Sequence, residues 1–478
     1  MISTCFSVAV NILVLPIYTR YLSPADYGII VLFVMFGTLT AGVLSTSLHF
    51  ASYIYYFQFK EDLDRFKIIY STNALYILIV FLISGILIYL FSGWISSFLF
   101  EGRLDTRLIL LSFVSGCLEY LVLYMTTLLT AQVKSMQYAG IIVLRIIINT
   151  AFSFYFIFVQ SLTYLALIYS LILSQGITIV ILFITLRDLF GLRFSLSDLK
   201  MSLRLAYPLI PNSMVGLVYS SFDKTALNKL KDSNYVGYYS FGEKFSIILK
   251  AVQDAVSKSW EPYFMNKAHE NSDVARGAII SRFYEIAFLF MIVGLSIIYF
   301  SEEMIKMLTT KAFYPSMYVV PLYIYFYLFA IIGVLSMNQI SFSKKMAYLL
   351  PTSVCGVIIN IALNIILIPK YGAVGAAGAI AISALSNNLM NLYFGMKLYP
   401  LPLGKWKLTK MYLIVIAFTL PIYPIMLVDL AVIVKMAIKL VLILSFIMVG
   451  IKLHYVSKSN ILRILDKIKS TAMNLAST

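Results

Sequence analysis

Charge is what this chain has least of. Only 12% of its 478 residues are Asp, Glu, Lys or Arg, about half the share usual in soluble domains, near 25%. That shortage, with 61% hydrophobic residues and a mean hydropathy of +0.91, excludes a water-soluble enzyme carrying a single anchor and reads as a polytopic membrane protein. Cysteine is scarce too. Cys5, Cys117 and Cys355 all sit in apolar runs, so neither a disulfide framework nor a metal cluster is implied. The three histidines, His49, His269 and His454, share no ligand spacing. No Walker motif is present, which removes ATP as a driver. Loops are short as well. None exceeds about 25 residues between apolar runs, leaving no room for a soluble catalytic domain. No cleavable leader is evident, and Met1–Tyr18 reads as the first span itself.

What is present is a series of apolar runs of about 20 residues, about fourteen in all. They fall near 1–19, 28–48, 68–90, 108–130, 139–158 and 163–186, then 207–222, 236–256, 279–300, 317–337, 347–368, 373–395, 411–428 and 431–450. The fold class expected is therefore all-α. The net charge of +16 is not spread evenly, and it argues for a membrane rather than for nucleic acid. Alternate loops hold roughly 23 against 9 basic residues, which places the richer set, and both termini, on the cytoplasmic side. The lysine-rich tail beyond Gly450 carries Ile461, Leu462, Leu465 and Ile468. It reads either as a segment on an anionic inner leaflet or as a frayed basic tail.

One stretch is too charged to face lipid. In Gly237–Lys258, Tyr239, Ser240, Glu243, Ser246, Lys250, Gln253, Asp254 and Ser257 share one face of a helix, and Phe241, Phe245, Ile248, Val252 and Val256 the other. Glu243, Lys250 and Asp254 follow one line at i, i+7, i+11. A charge at the bilayer centre costs several kcal/mol unless it meets water or a partner. A surface helix would satisfy the pattern, but such helices crowd cations on the polar face. The mixed signs here favour a spanning helix with its stripe on a water-filled cavity.

Other spans carry thinner polar lines. They include Thr4, Asn11 and Tyr18; Thr38, Gly42, Ser45 and His49; Ser112, Glu119, Thr126 and Thr130; Tyr138, Arg145 and Asn149; Asn212, Gly216, Tyr219 and Asp223; and Ser353, Asn360 and Asn364. Neutral stripes of small residues also serve as seams where helices approach closely. The ionisable Glu119 and Arg145 read either as a packing ion pair or as an anion contact with a titrating partner. Tyr207-Pro-Leu-Ile-Pro-Asn212 opens the seventh run, either as a bent helix lining a cavity or as a proline-started helix. Two turns resemble each other at an offset of 209 residues: Tyr21-Leu-Ser-Pro-Ala-Asp-Tyr-Gly28 and Leu230-Lys-Asp-Ser-Asn-Tyr-Val-Gly237. Each closes on a glycine that opens the next span, as an internal duplication would require.

Three blocks carry a family resemblance. Leu15-Pro-Ile-Tyr-Thr-Arg-Tyr-Leu-Ser-Pro-Ala-Asp-Tyr-Gly28 is similar to the N-terminal signature of Wzx-type polysaccharide-unit flippases. Ala206–Ser213 with Ser221–Lys224 and Val236–Tyr239 resembles their central signature, and Asn360–Gly378 their C-terminal block. The resemblance implies the fold of the multidrug/oligosaccharidyl-lipid/polysaccharide exporters. That means two pseudo-symmetric six-helix lobes, residues 1–205 and 206–398, around a central cavity, then two helices and a basic tail over 399–478. It also implies a bacterial inner membrane and an undecaprenyl-pyrophosphate-linked oligosaccharide of O-antigen or another lipopolysaccharide, capsule or exopolysaccharide. Membrane lipids, a polymerase and a chain-length regulator are the implied partners; no cofactor, metal or catalytic residue is expected.

For such a cargo, Arg145 and Lys250 are the candidate anion contacts, with Arg20 and Lys224 at the outward mouth. Asn149, Asn212, Tyr219 and Tyr239 would meet sugar. Glu119, Asp223, Glu243 and Asp254 are the candidate ion-coupling carboxylates. Three competitors remain. A lipid II flippase is a transport option that the sequence alone does not dismiss. A cation antiporter of the same fold would want a net acidic cavity, whereas Arg145, Lys244 and Lys250 add positive charge. A membrane polymerase would want a large outward loop with Arg or His, and the outward loops near 92–107 and 301–316 are short and lack histidine.

Overall fold

A computed structural model describes residues 2–191, 193–428 and 430–456, without the side chains of 2–5, 8, 209 and 212. The tail positions from 457 onward therefore lie outside the described residues. Among those described there is no strand, and every regular element is a helix. Ten helices are long and apolar enough to cross a membrane, so this is a multi-pass membrane protein.

The chain runs through α1 (Ile2–Tyr21), α2 (Pro24–Leu44), α3 (Leu48–Gln58), α4 (Leu63–Phe100), α5 (Thr106–Ala131), α6 (Ser135–Phe158), α7 (Tyr164–Leu186) and α8 (Leu196–Ala206). It continues through α9 (Ile210–Leu230), α10 (Ser233–His269), α11 (Asp273–Leu308), α12 (Val319–Phe342), α13 (Leu349–Leu398), α14 (Lys405–Thr419), α15 (Ile422–Leu427) and α16 (Val432–Lys452). Three features differ from the apolar-run reading. The second run is broken between α2 and α3, where Thr46 and Ser47 adopt left-handed backbone (φ 51° and 56°). A short polar helix, α8, stands between the sixth and seventh runs. The eleventh and twelfth runs join in α13, about 75 Å long at 1.5 Å per residue and too long for one crossing. Gly372, at φ 56° and ψ −129°, divides it, a conformation open only to glycine. Helices α1, α9 and α10 are not among the ten candidate spans; α9 and α10 carry most of the polar residues singled out above.

The two similar turns are helix caps. Ser23 accepts from the Asp26 amide, Asp26 accepts from the Ser23 amide at 2.9 Å, and Pro24 opens α2, a complete capping box. At the equivalent position 232, the Asp carboxylate accepts from the amides of Asn234 (2.8 Å) and Tyr235 (3.2 Å) at the start of α10. The two helix starts also meet. A Cβ on Gly28 would lie 1.9 Å from the Ser233 carbonyl oxygen, and one on Gly237 would lie 2.1 Å from that of Pro24. Pro24 matches Ser233 and Gly28 matches Gly237 at the same offset of 209, so the contact is reciprocal, as across a two-fold axis.

The residues group into two compact units. The first comprises Met1–Phe241, Leu308–Ser316 and Val357–Ala379. Its α2 and α5 touch backbone to backbone at Gly37 and Gly116, and the Ser112 hydroxyl donates to the Phe33 carbonyl across that seam. Small residues permit this approach. Beside it, Tyr70 of α4 stacks on Tyr124 of α5, with ring centroids 4.7 Å apart. The second unit comprises Gly242–Met307, Met317–Gly356 and Ile380–Thr478. There Tyr412 of α14 donates to the Leu328 carbonyl of α12 (2.7 Å), and Tyr325 of α12 to Thr419 of α14 (2.7 Å). Phe288 of α11 stacks on Phe446 of α16.

Candidate functional site

The first unit holds two polar centres among apolar helices. In one, Asp223 of α9 is almost wholly buried (1% exposed). Tyr239 of α10 donates to its Oδ2 at 2.7 Å, and Asn364 of α13 to its Oδ1 at 2.6 Å. Asn360, one turn before Asn364, accepts from the Asn364 amide through its side-chain oxygen at 3.1 Å and also acts on Asp223. Lys224 is the cation nearby. The Asn364 Oδ1 is buried without a partner. Both carboxylate oxygens thus accept from neutral donors, a hydroxyl and an amide, and the carboxylate is a group that could hold a proton. The sequence places Asn360 and Asn364 on one polar line but does not join them to Asp223. Their i, i+4 spacing was the available signal.

In the second centre, both Arg145 guanidinium nitrogens of α6 bind the Glu119 carboxylate of α5, one at 3.1 Å and the other closer. Gln175 of α7 donates to Glu119 at 2.9 Å and accepts from Ser115 at 3.0 Å. The bidentate fork fixes the pair. The centre is not sealed: the Glu119 side chain is 44% exposed and that of Arg145 17%. One turn along α6, the Asn149 Oδ1 is buried and unpartnered, and Ser153 beyond it bonds the Tyr18 hydroxyl of α1 at 2.8 Å.

In the second unit, Glu243 of α10 is half-buried and accepts from the Tyr323 hydroxyl of α12 at 2.8 Å. Both Glu243 and Asp254 act electrostatically on Tyr327, one turn further along α12. Lys250 and Asp254 are exposed on α10. The expected polar stripe is thus divided: Tyr239, Ser240 and Ser246 are buried, while its lower end is open. Burial takes in Tyr239, Ser240, Gly242 and Ser246 together with Phe241, Phe245 and Leu249, so both faces are covered in this half of the stretch. Of the remaining candidates, Arg20 is exposed at the end of α1, and Tyr219 and Lys224 are half-buried on α9. The Asn212 side chain lies outside the described residues.

A third cluster had no counterpart in the sequence reading. Lys435 and Lys439 of α16 are buried, 7% and 0% exposed, against Glu302 of α11, itself 1% exposed. Lys439 reaches both Glu303 oxygens at 2.6 and 2.8 Å and Glu302 at 3.3 Å; Lys435 and Lys306 reach Glu302 at 3.2 and 2.7 Å. Two lysines four apart inside an apolar run were the signal.

Solved structures share this fold. The lipid II flippase MurJ in an inward closed conformation aligns with TM-score 0.71 at 16% identity, covering 94% of this chain and 97% of that one. An inward-facing multidrug resistance MATE family transporter of the MOP superfamily aligns at 0.59 and 13%, covering 83% and 94%. A MOP superfamily transporter from Pyrococcus furiosus, whose binding pocket of reverse polarity suggests a different function, aligns at 0.54 and 15%, covering 83% and 93%. No curated protein matches the chain in sequence. The sequence model of one family, described as polysaccharide biosynthesis protein, matches residues 17–318, more than half of the chain, and the chain belongs to that family.

Proposed function

We propose that the protein is a flippase. It carries polyprenyl-pyrophosphate-linked oligosaccharide repeat units, of O-antigen, capsule or exopolysaccharide type, across the bacterial cytoplasmic membrane, with both termini cytoplasmic. It is a transporter and not an enzyme. Dragging a pyrophosphate and sugars through hydrocarbon is prohibitive, whereas a protein that offers water, cations and amides to the polar head can leave the lipid tail in the bilayer. Lobes 1–205 and 206–398 rock about the cargo in alternating access. Residues 399–478 add two helices and the basic tail.

The observation that carries this reading is the open Arg145–Glu119 centre with the unpartnered Asn149 oxygen one turn away. Arg145 meets the anionic head, Asn149 a sugar hydroxyl, and Lys250, exposed on α10, the same anion from the other lobe. Arg20 and Lys224 draw the head toward the outward mouth, and Asn212, Tyr219 and Tyr239 complete the sugar contacts as the lobes move. Asp223, with its amide partners, is the leading ion-coupling carboxylate; Glu119, Glu243 and Asp254 are the others. Deleting the gene should leave lipid-linked units accumulated on the cytoplasmic leaflet, read by their inaccessibility to an impermeant sugar-modifying reagent in intact spheroplasts. Normal surface polysaccharide in a clean deletion lacking a paralogue would overturn the proposal.

The buried Asp223 favours a second reading, export of organic cations. Efflux of cationic dyes that disappears in Asp223→Asn would select it.

A further inference from the structure

His49 belongs to the polar line of the second run, and none of the roles above uses it. It stands in the first turn of α3, immediately after the break. Thr46 and Ser47 hold left-handed backbone there, at about 1–2 kcal/mol each for residues with a side chain. The buried Thr46 Oγ1 has no partner. One hydroxyl spans the break. The Tyr120 Oη of α5 lies 3.3 Å from the His49 backbone nitrogen, which donates to it, 3.1 Å from the His49 ring Nδ1, and 3.5 Å from the Ser45 carbonyl oxygen. Tyr120 is buried, 6% exposed. A phenol has one proton to give, so it cannot serve Nδ1 and Ser45 together.

The geometry points to His49 as a proton-binding site that switches the hydrogen bonding of the α2–α3 break. With the ring neutral, Tyr120 donates its proton to Nδ1, the ring proton sits on Nε2, and the Ser45 carbonyl is left to the Leu48 amide. When a proton arrives, Nδ1–H donates to Tyr120 Oη, and the phenolic proton turns to the Ser45 carbonyl. The protonated arrangement uses the phenol as double acceptor and single donor, and ties α5 to the end of α2.

The surroundings suit such a site. One turn away, the seam continues as Asn73 donating to Ser52 (3.2 Å), Ser52 to Tyr124 (3.1 Å) and Tyr124 to the Tyr70 carbonyl (2.8 Å). The Asn73 Oδ1 and Tyr70 Oη are buried and unpartnered. The titratable groups turned toward this seam are Tyr120 and Tyr124 from α5 and Tyr70 from α4. At the far end of α3, Asp198 of α8 is already paired with Arg65 of α4 at 2.7 Å. From α9 comes the neutral Ser213, 3.4 Å from Ser47. Helix α3 lies outside the ten candidate spans. Burial alone pushes the His49 imidazole below its usual value of 6.5. The sign follows: this arrangement is at full stability with the ring neutral, and acidification penalises it progressively below the ordinary value, favouring a state that hydrates the ring.

The test uses the full chain in lipid nanodiscs with nitrogen-15 histidine. Only three histidines exist, and His49→Gln assigns the signal by removing it. Titrated from about pH 8 to 5, His49 should protonate below its usual value of 6.5, and its neutral ring should carry the proton on Nε2. In Tyr120→Phe, that tautomer preference should weaken and the midpoint fall further, because the charged ring loses its charge-assisted bond to the phenol. A neutral ring protonated on Nδ1 in the native chain, or a His49 midpoint at the ordinary value and indifferent to Tyr120→Phe, would overturn the assignment. If Tyr120→Phe does not fold, the native tautomer and midpoint still decide. None of these readouts involves transport, so they stand or fall apart from the flippase reading.

Discussion

At the scale of single residues, the ionisable groups inside the helices divide by what they touch. Arg145 and Glu119 were legible as mid-span charges, and their spacing left two readings open. The coordinates pair them without closing them off, so both can operate in turn. Arg145→Gln should lower export of lipid-linked units about tenfold, the equivalent of about 1.4 kcal/mol in cargo binding. Glu119→Gln, which leaves the guanidinium unneutralised, should cost less. If the double variant recovers native export, the pair is packing and not a cargo contact. Asp223 asks a different question. In Asp223→Asn the amide oxygen still accepts from Tyr239, so the protein should fold and bind lipid-linked units while export loses its dependence on the ion gradient. In Asp223→Ala, Tyr239 and Asn364 lose their bonds to the carboxylate, at about 1–3 kcal/mol for a buried group that loses its partner. A gradient-dependent Asp223→Asn protein would remove Asp223 from coupling.

At the scale of elements, hydropathy placed the apolar runs because desolvation cost is written residue by residue. It could not place α8 or α3, whose positions depend on tertiary bonds. Tyr55 donates to the Met201 carbonyl, and Arg65 reaches Asp198. Nor could it foresee that Asn360 and Asn364 of one run would close on Asp223 of another. Helix α16 is the sharpest case. Its lysines would be expelled from an isolated span, and they are stable only because Glu302 and Glu303 wait on α11. Lys439→Met strands Glu303 and should destabilise the purified protein by about 3–5 kcal/mol, the usual cost of breaking a buried pair. Adding Glu303→Leu should recover much of that loss, since a well-packed apolar replacement of a buried pair is near neutral. Thermal unfolding of the single and double variants in one detergent measures both. Equal losses in the two would mean that packing around α16, rather than the stranded charge, sets the cost.

At the scale of the whole chain, the recurrence of one turn at an offset of 209 was visible as a pattern but not as a contact. Sequence similarity says that two segments have a common shape; it does not say where they lie. The coordinates add that they touch, each glycine under the carbonyl of the other turn's opening residue. Two caps of one design, Ser23 and Asp232, hold the helix starts so that the glycines face each other. A reciprocal contact carries a symmetry of consequence. Gly28→Ala and Gly237→Ala each drive a methyl onto backbone, which no rotamer change relieves, and each should cost about 1–3 kcal/mol. Because both substitutions part the same two helix starts, their effects should not add: once the first has separated α2 from α10, the second meets open space. Thermal unfolding of the two single variants and the double checks this. Two similar losses with a double close to either single are expected. A harmless variant at one glycine, or losses that sum, would mean that the two turns are alike in sequence without forming one joint.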